Sequence, residues 1–142
     1  MKVIMDMLEA GRWAQSAGNS QPWKFIVLRS AEVRKALADA IPTGRFISSA
    51  PLGIAVTINP KASSHPIEDG AAATQKILLE AHSLGLGACW IGAYGRLNEK
   101  KPKKILDILE EETLLSIIAI SHPIEVGNSQ SRVEVQAMQW GT

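Results

Sequence analysis

Four short apolar runs constrain this chain more than any other feature. They are Trp23–Leu28 (WKFIVL), Leu52–Ile58 (LGIAVTI), Ala88–Ile91 (ACWI) and Leu114–Ile120 (LLSIIAI). Each is nearly continuous in apolar residues and has β-branched members. The first, second and fourth, with no polar face, read as buried strands, and Ala88–Ile91 as a short strand. Buried strands need cover on both faces of their sheet, and the stretches between them carry helical patterns.

Val3, Ile4, Met7, Leu8 and Gly11 recur at helical spacing and predict an amphipathic helix over residues 2–15. Ser30 is a candidate cap for a second helix, with Val33, Ala36, Leu37 and Ala40 on one face. Pro42, Thr43 and Gly44 break it, and residues 45–49 leave room for one more turn before Pro51. The longest helix is expected over residues 67–84. Ala71, Ala72, Ala73, Ile77, Leu78 and Ala81 make it apolar around much of its girth, which suits close packing in a core or across a subunit interface. Gly85 is placed to stop it. Asn98 is expected to open a last helix, with Pro102 in its first turns and Ile105, Leu106, Ile108 and Leu109 apolar. Helices and strands alternate, so the chain reads as a mixed α/β or α+β layer fold. Its 142 residues suit one domain.

Composition removes several function classes. The net charge is +1, which argues against a nucleic-acid binder, since such proteins usually present a basic face. Cys89 is the only cysteine, so there is no intrachain disulfide and no cysteine metal cluster. No apolar run reaches membrane-spanning length, and the first residues lack a signal-peptide core. These features predict a cytoplasmic protein. His65, His82 and His122 lack metal-ligand spacing, and no metal site is expected. Cys89 sits in an apolar strand and is read as a buried, inert thiol. Glu68 and Asp69 fall in the first turn of the long helix, where they complement its macrodipole. The glycines of GLGACWIG match neither a dinucleotide fingerprint nor a P-loop. With no nucleophile–base pair and no paired carboxylates, any catalysis is expected to rest on a cofactor, with no catalytic side chain.

The stretch that departs from apolar patterning is Ser16–Trp23, SAGNSQPW. Ser16, Asn19, Ser20 and Gln21 offer four hydrogen-bonding side chains. Gly18 permits a positive φ, and Pro22 is expected to push Gln21 toward an extended conformation. Such a loop suits a flat ligand with polar edges, or it is an ordinary helix-to-strand connection.

Taken together, LEAGRWAQSAGNSQPWKFIVL from Leu8, APLGIAV from Ala50, EDGAAATQKILLEAHSLGLGACWIG from Glu68 and EEETLLSIIAISHP from Glu110 resemble the nitroreductase family of flavoproteins. The resemblance implies an α+β, three-layer fold with a central, mainly antiparallel sheet flanked by helices. It implies an intertwined homodimer with two FMN molecules at the subunit interface. By the same resemblance, Ser16, Ala17 and Asn19 reach the flavin ring and ribityl chain of the other subunit, with Gln21 and Trp23 in support. Arg45 falls where the family places a basic residue near the pyrimidine edge. Ile91 and Gly92 match the segment whose backbone faces flavin N5, and the Ala-rich helix matches the dimer core.

The family's usual N-terminal Arg-Arg-Ser-x-Arg-type segment, which clamps the FMN phosphate, lies ahead of where this chain starts. The domain, residues 1–142, is therefore read as N-terminally shortened. Arg132 is the candidate basic residue of the tail, and Arg12 an alternative from the first helix. The function implied is an FMN-dependent oxidoreductase that passes hydride from NADH or NADPH to nitroaromatics, quinones or similar flat acceptors by a ping-pong mechanism. Two other readings remain open at this point: a flavin-binding or dimeric scaffold with weak FMN affinity and no turnover, and a sister chemistry such as reductive dehalogenation.

Overall fold

A computed structural model of the chain describes residues 1–95, 99–123 and 129–136. In chain order the elements are helix α1 (Lys2–Arg12), strand β1 (Trp23–Leu28), helix α2 (Ala31–Ala40), strand β2 (Leu52–Ile58), helix α3 (Pro66–Ser83), strand β3 (Gly87–Gly92), helix α4 (Lys100–Ile105) and strand β4 (Thr113–Ser121). Short 3-10 segments, Ala17–Asn19 and Pro42–Ser48, lie in the connections after α1 and α2. The strands form one sheet in the order β1-β2-β4-β3, and every pairing is antiparallel.

The four apolar runs are the four strands, but only two of them are buried on both faces. The central strands β2 and β4 carry Ile54, Val56, Ile58, Leu114, Ile117 and Ile118, all fully buried or nearly so. The edge strands β1 and β3 are only partly covered. Cys89 is consequently exposed, contrary to the buried thiol expected from its apolar neighbours. A strand's position in its sheet depends on pairing with distant segments, which the run itself does not encode.

Each face of the sheet has its own core. Helices α1 and α3 cover one face, where Met7, Ile54, Val56, Ile77, Ala81, Ile118 and Ile120 pack together. The other face carries Leu37, Ala38, Ile47, Ala55, Ile91, Leu114 and Ile117, with α2, the Pro42–Ser48 segment and the α4 region over it. Helix, sheet and helix make three layers, as the resemblance implied. Gly11 lets α1 approach α3 closely: a methyl group there would lie 2.9 Å from Ile77 Cγ1 and 2.9 Å from Phe25 Cζ.

Helix termini follow local chemistry. Ser30 caps α2, its hydroxyl accepting from the Val33 N–H. Helix α3 ends in a Schellman turn: Gly85 stands at φ 77°, its N–H donates to the His82 carbonyl, and the Leu86 N–H reaches the Ala81 carbonyl. Helix α4 ends in the same way at Asp107, φ 54°, with the Asp107 and Ile108 N–H groups on the Lys104 and Lys103 carbonyls. It is therefore shorter than the apolar spacing through Leu109 suggested. Asn98, its expected opening residue, lies outside the described residues. Helix α1 likewise stops at Arg12 rather than residue 15, because the Trp13 and Ala14 N–H groups tighten onto the Ala10 and Gly11 carbonyls.

Candidate functional site

The candidate residues fall into two groups at one end of the sheet. Ser16, Ala17, Asn19 and Gln21 form the loop that leads into Trp23, the first residue of β1. Trp23 pairs with Ile58 of β2, and Ile58 pairs with Thr113 of β4. Ile91 and Gly92 close β3 at this same end, with Gly92 paired to Ser116. The sheet order puts the two groups on opposite edges, three strand spacings or about 14 Å apart. The loop joins the α1–α3 side, whereas Ile91 and Arg45 belong to the α2 side.

The loop is locked in an uncommon backbone conformation. Gly18, Asn19 and Gln21 have φ of 58°, 54° and 49°, three left-handed residues out of four. Glycine and asparagine tolerate this region, but glutamine does so at a cost. Gln21 is thus not extended, contrary to the expectation drawn from Pro22. Hydrogen bonds override that preference: the Gln21 N–H donates to Ser16 Oγ at 3.1 Å, and its side-chain amide donates to the Asn19 carbonyl and Oδ1, both at 3.2 Å.

A second tie comes from Asp69, which is 5% exposed on the first turn of α3. The Ala17 N–H donates to Asp69 Oδ1 at 3.0 Å. The Ser63 hydroxyl donates to Oδ2 at 2.5 Å, and the Ser20 hydroxyl lies 3.4 Å from the same oxygen. Reading Asp69 as a partner of the helix dipole missed this role. Its loop partners are about fifty residues away, and no local pattern announces them.

The second group is held by the β3–β4 ladder, beside a bulge on the other side of β4. Between Val56 and Thr57 the β2–β4 register slips by one residue, leaving Leu115 unpaired on that side of β4. On the β3 side the ladder continues in register past Gly92, the Leu115 carbonyl accepting from the Ala93 N–H at 3.4 Å and the Tyr94 N–H at 3.2 Å, which fixes the chain just beyond Gly92. Gly92 itself is exposed, with open space where a side chain would be. Across from it lies the Pro42–Ser48 segment. It sits against Ile91 because Gly44 has no side chain; a methyl group there would lie 2.9 Å from Ile91 Cγ2. The result is a cleft of about 520 Å³ lined by residues 40–43, Gly92–Gly95, Glu99 and Pro102. That volume lies within the range of small-molecule sites. Arg45, next along the same segment, is exposed and makes no ion pair among the described residues.

Of the other candidate cations, Arg12 lines a pocket beside the first group, together with Gln21 and Trp23, and both Arg12 and Arg132 are engaged locally. Among the described residues Arg132 bonds only to the neighbouring Gln130 and Ser131 carbonyls. Arg12 holds Glu9 through two hydrogen bonds of 2.8 Å and 2.6 Å and lies over the Trp13 ring. The Trp13 indole N–H also donates to Glu9, at 2.7 Å. These donors, Arg12 first and Trp13 second, pull the Glu9 carboxyl down from 4.5 to about 2. Since the folded value is depressed, the cluster's contribution to stability is complete above the ordinary glutamate range. It is lost as pH falls through about 2. The cluster is exposed, so its contribution is small and weakens with salt. A carboxyl-carbon NMR titration of Glu9 is expected to show a midpoint near 2; a midpoint in the ordinary glutamate range would show that the cluster does not form.

Among the described residues no group of His, Cys, Asp and Glu could hold a metal ion, and no helix is long and apolar enough to cross a membrane. Among the described residues of the two groups, the chemistry on offer is amide and hydroxyl hydrogen bonding, an accessible strand end and the exposed Arg45.

This architecture is a helix–sheet–helix α+β fold with a polar loop and a cleft at the same end of its antiparallel sheet. The family model described as "Nitroreductase family" matches residues 1–44 and 42–122. The chain is 38% identical over 125 residues to an Archaeoglobus fulgidus protein named "Putative NADH dehydrogenase/NAD(P)H nitroreductase", covering 84% of this chain and 72% of that one. Its fold is similar to that of an FMN-dependent nitroreductase from Clostridium difficile, with TM-score 0.86 and 28% identity over 92% of this chain and 80% of the other. It is also similar to "a putative nitroreductase in complex with fmn" from Desulfovibrio desulfuricans, with TM-score 0.81 and 30% identity over 93% of this chain and 79% of the other. The chain belongs to the nitroreductase family.

Proposed function

We propose that this protein is an FMN-dependent oxidoreductase that uses NADH or NADPH and acts in the cytoplasm. The observation that carries the reading is the backbone at the end of β3. Gly92 leaves its surface open at the end of an edge strand, and the Leu115 carbonyl holds the Ala93 and Tyr94 N–H groups, which fixes the chain beside a cleft of suitable size. The donor set fits a flavin: an accessible backbone edge for N5, the exposed Arg45 for the pyrimidine edge, and the Ser16–Gln21 loop for ring and ribityl hydroxyls. When bound, FMN supplies the redox chemistry, taking hydride from the nicotinamide and passing it to a flat acceptor such as a nitroaromatic or quinone in a ping-pong cycle.

The chain's own residues then have distinct tasks. The Ile91–Gly92 backbone positions the reacting edge, and the missing side chain at Gly92 allows close approach. Arg45 offsets negative charge that gathers at the pyrimidine edge on reduction. Ser16, Ala17 and Asn19 orient the ring and ribityl chain, with Gln21 holding the loop's shape. The two groups lie on opposite edges of one sheet, which supports a homodimer in which the loop of one subunit serves the cleft of its partner. Exposed apolar residues on α1 and α3, Met5 and Leu79 among them, support the same interface.

A second reading, a scaffold with weak FMN affinity, draws on the prior commitment of Arg12 to Glu9 and of Arg132 to its neighbours. It leaves the phosphate without either candidate cation. The visible spectrum of the purified protein, before and after adding FMN and removing the excess, separates the two. Flavin bands at near one equivalent per chain, followed by NADH or NADPH oxidation with a quinone or nitro acceptor, are expected. A folded dimer that takes up no FMN would overturn the oxidoreductase reading and favour the scaffold.

A further inference from the structure

We infer that Asp69 is the positioning residue of the Ser16–Gln21 loop, setting the shape in which the loop meets its ligand. This deepens the flavin-site reading above and rests on it for the identity of the ligand. The inference starts from an imbalance. A buried carboxylate is costly unless it is well paired, yet no cation bonds to Asp69 among the described residues. It is satisfied instead by donors from two separate segments: the Ala17 N–H and Ser20 hydroxyl of the loop, and the Ser63 hydroxyl of the β2–α3 connection.

The direction of these bonds is set. Ser63 Oγ accepts from the His65 N–H at 3.0 Å, so its proton is free to point at Asp69. The carboxylate can only accept, so the Ala17 N–H must face it. That N–H belongs to the first residue of the 3-10 turn and lies immediately before the left-handed Gly18 and Asn19. Within the loop the Asn19 and Ser20 N–H groups donate to the Ser16 and Ala17 carbonyls, and the side-chain bonds, Ser16 with Gln21 and Gln21 with Asn19, are exposed. Water competes for them, so on their own they hold a strained backbone weakly. The Asp69–Ala17 bond is partly buried and tethers the loop to α3, which packs against the sheet. Asp69 touches no proposed ligand atom; its effect passes through the backbone of Ala17.

The test uses the full chain with Asp69→Ala, Asp69→Asn and Ser63→Ala. Asparagine can still accept from the Ala17 N–H through Oδ1 and donate from Nδ2 to Ser63 Oγ, so it is the conservative rescue. In flavin-free protein, amide exchange over residues 16–21 is expected to rise at least tenfold in Asp69→Ala and by less than threefold in Asp69→Asn. Exchange in the interior of α3 is expected to stay at its original rate in both. FMN affinity, read by quenching of flavin fluorescence, is expected to fall at least tenfold in Asp69→Ala and to recover to within threefold in Asp69→Asn. The visible circular dichroism of bound flavin should change in Asp69→Ala and recover in Asp69→Asn.

If Asp69→Ala does not fold, Ser63→Ala removes one partner while leaving the carboxylate. It is expected to raise loop exchange in the same region, and unchanged exchange there would count against the inference. Unchanged loop exchange in folded Asp69→Ala overturns it, as does faster exchange with undiminished FMN affinity. Failure of the unsubstituted protein to bind FMN is a separate result: it sinks the flavin reading, while the exchange data still decide whether Asp69 sets the loop.

Discussion

Replacing Ile118 with alanine is expected to destabilise the fold by about 2–5 kcal/mol. Ile118 is fully exposed to neither solvent nor sheet edge: it lies on β4, a central strand, at 0% exposure among Met7, Ile54, Val56 and Ile77. Alanine removes its transfer free energy and leaves a cavity, because β2, β3 and α3 pin the surroundings from three sides. Domains of ordinary stability have about 5–15 kcal/mol in all, so the loss is a large share of the total. Urea unfolding should show a lower midpoint with an unchanged slope. Val135→Ala, at a residue 94% exposed, is the control and should not move the midpoint. Equal midpoints for Ile118→Ala and the unsubstituted protein would contradict the two-sided core.

Arg45→Ala carries the second large effect, on the ligand rather than the fold. A charge-assisted hydrogen bond contributes about 1.5–3 kcal/mol, so FMN affinity is expected to fall by roughly one to two orders of magnitude. Loss of a cation from the pyrimidine edge should also make the bound flavin's midpoint potential more negative, since the reduced form carries the added negative charge. Arg45 is exposed and its side chain supports no described ion pair, so the urea midpoint should stay put. Unchanged affinity together with an unchanged potential would remove Arg45 from the proposed site.

The two effects differ in how far each was visible in the residues. The run that contains Ile118 announces a buried strand, because continuous apolar character can be satisfied in few other ways. Arg45 has no local signature; it stood out only through the family resemblance. Its segment is positioned by Gly44 seated against Ile91, a contact between residues far apart in sequence. The loop was partly legible. The positive φ of Gly18 follows from glycine itself, but that of Gln21 follows from its bond to Ser16 and overrides the local effect of Pro22. Arg12 illustrates the reverse case. It is a free cation in the sequence, yet helical spacing hands it to Glu9 three residues away.

The sequence by itself determined the inventory: four strands, the helices that cover them, the stop at Gly85 and a polar loop ahead of β1. These depend on interactions within a few residues, where side-chain pattern and backbone preference act directly. Tertiary structure alone decided which strands are central, that Cys89 is exposed, and that the Leu115 carbonyl of β4 holds the chain after Gly92. It also decided that Asp69 reaches across to Ala17. Each of these depends on which distant segments pair or touch. Their free energy appears only once the chain has closed on itself, so no short stretch of residues carries it.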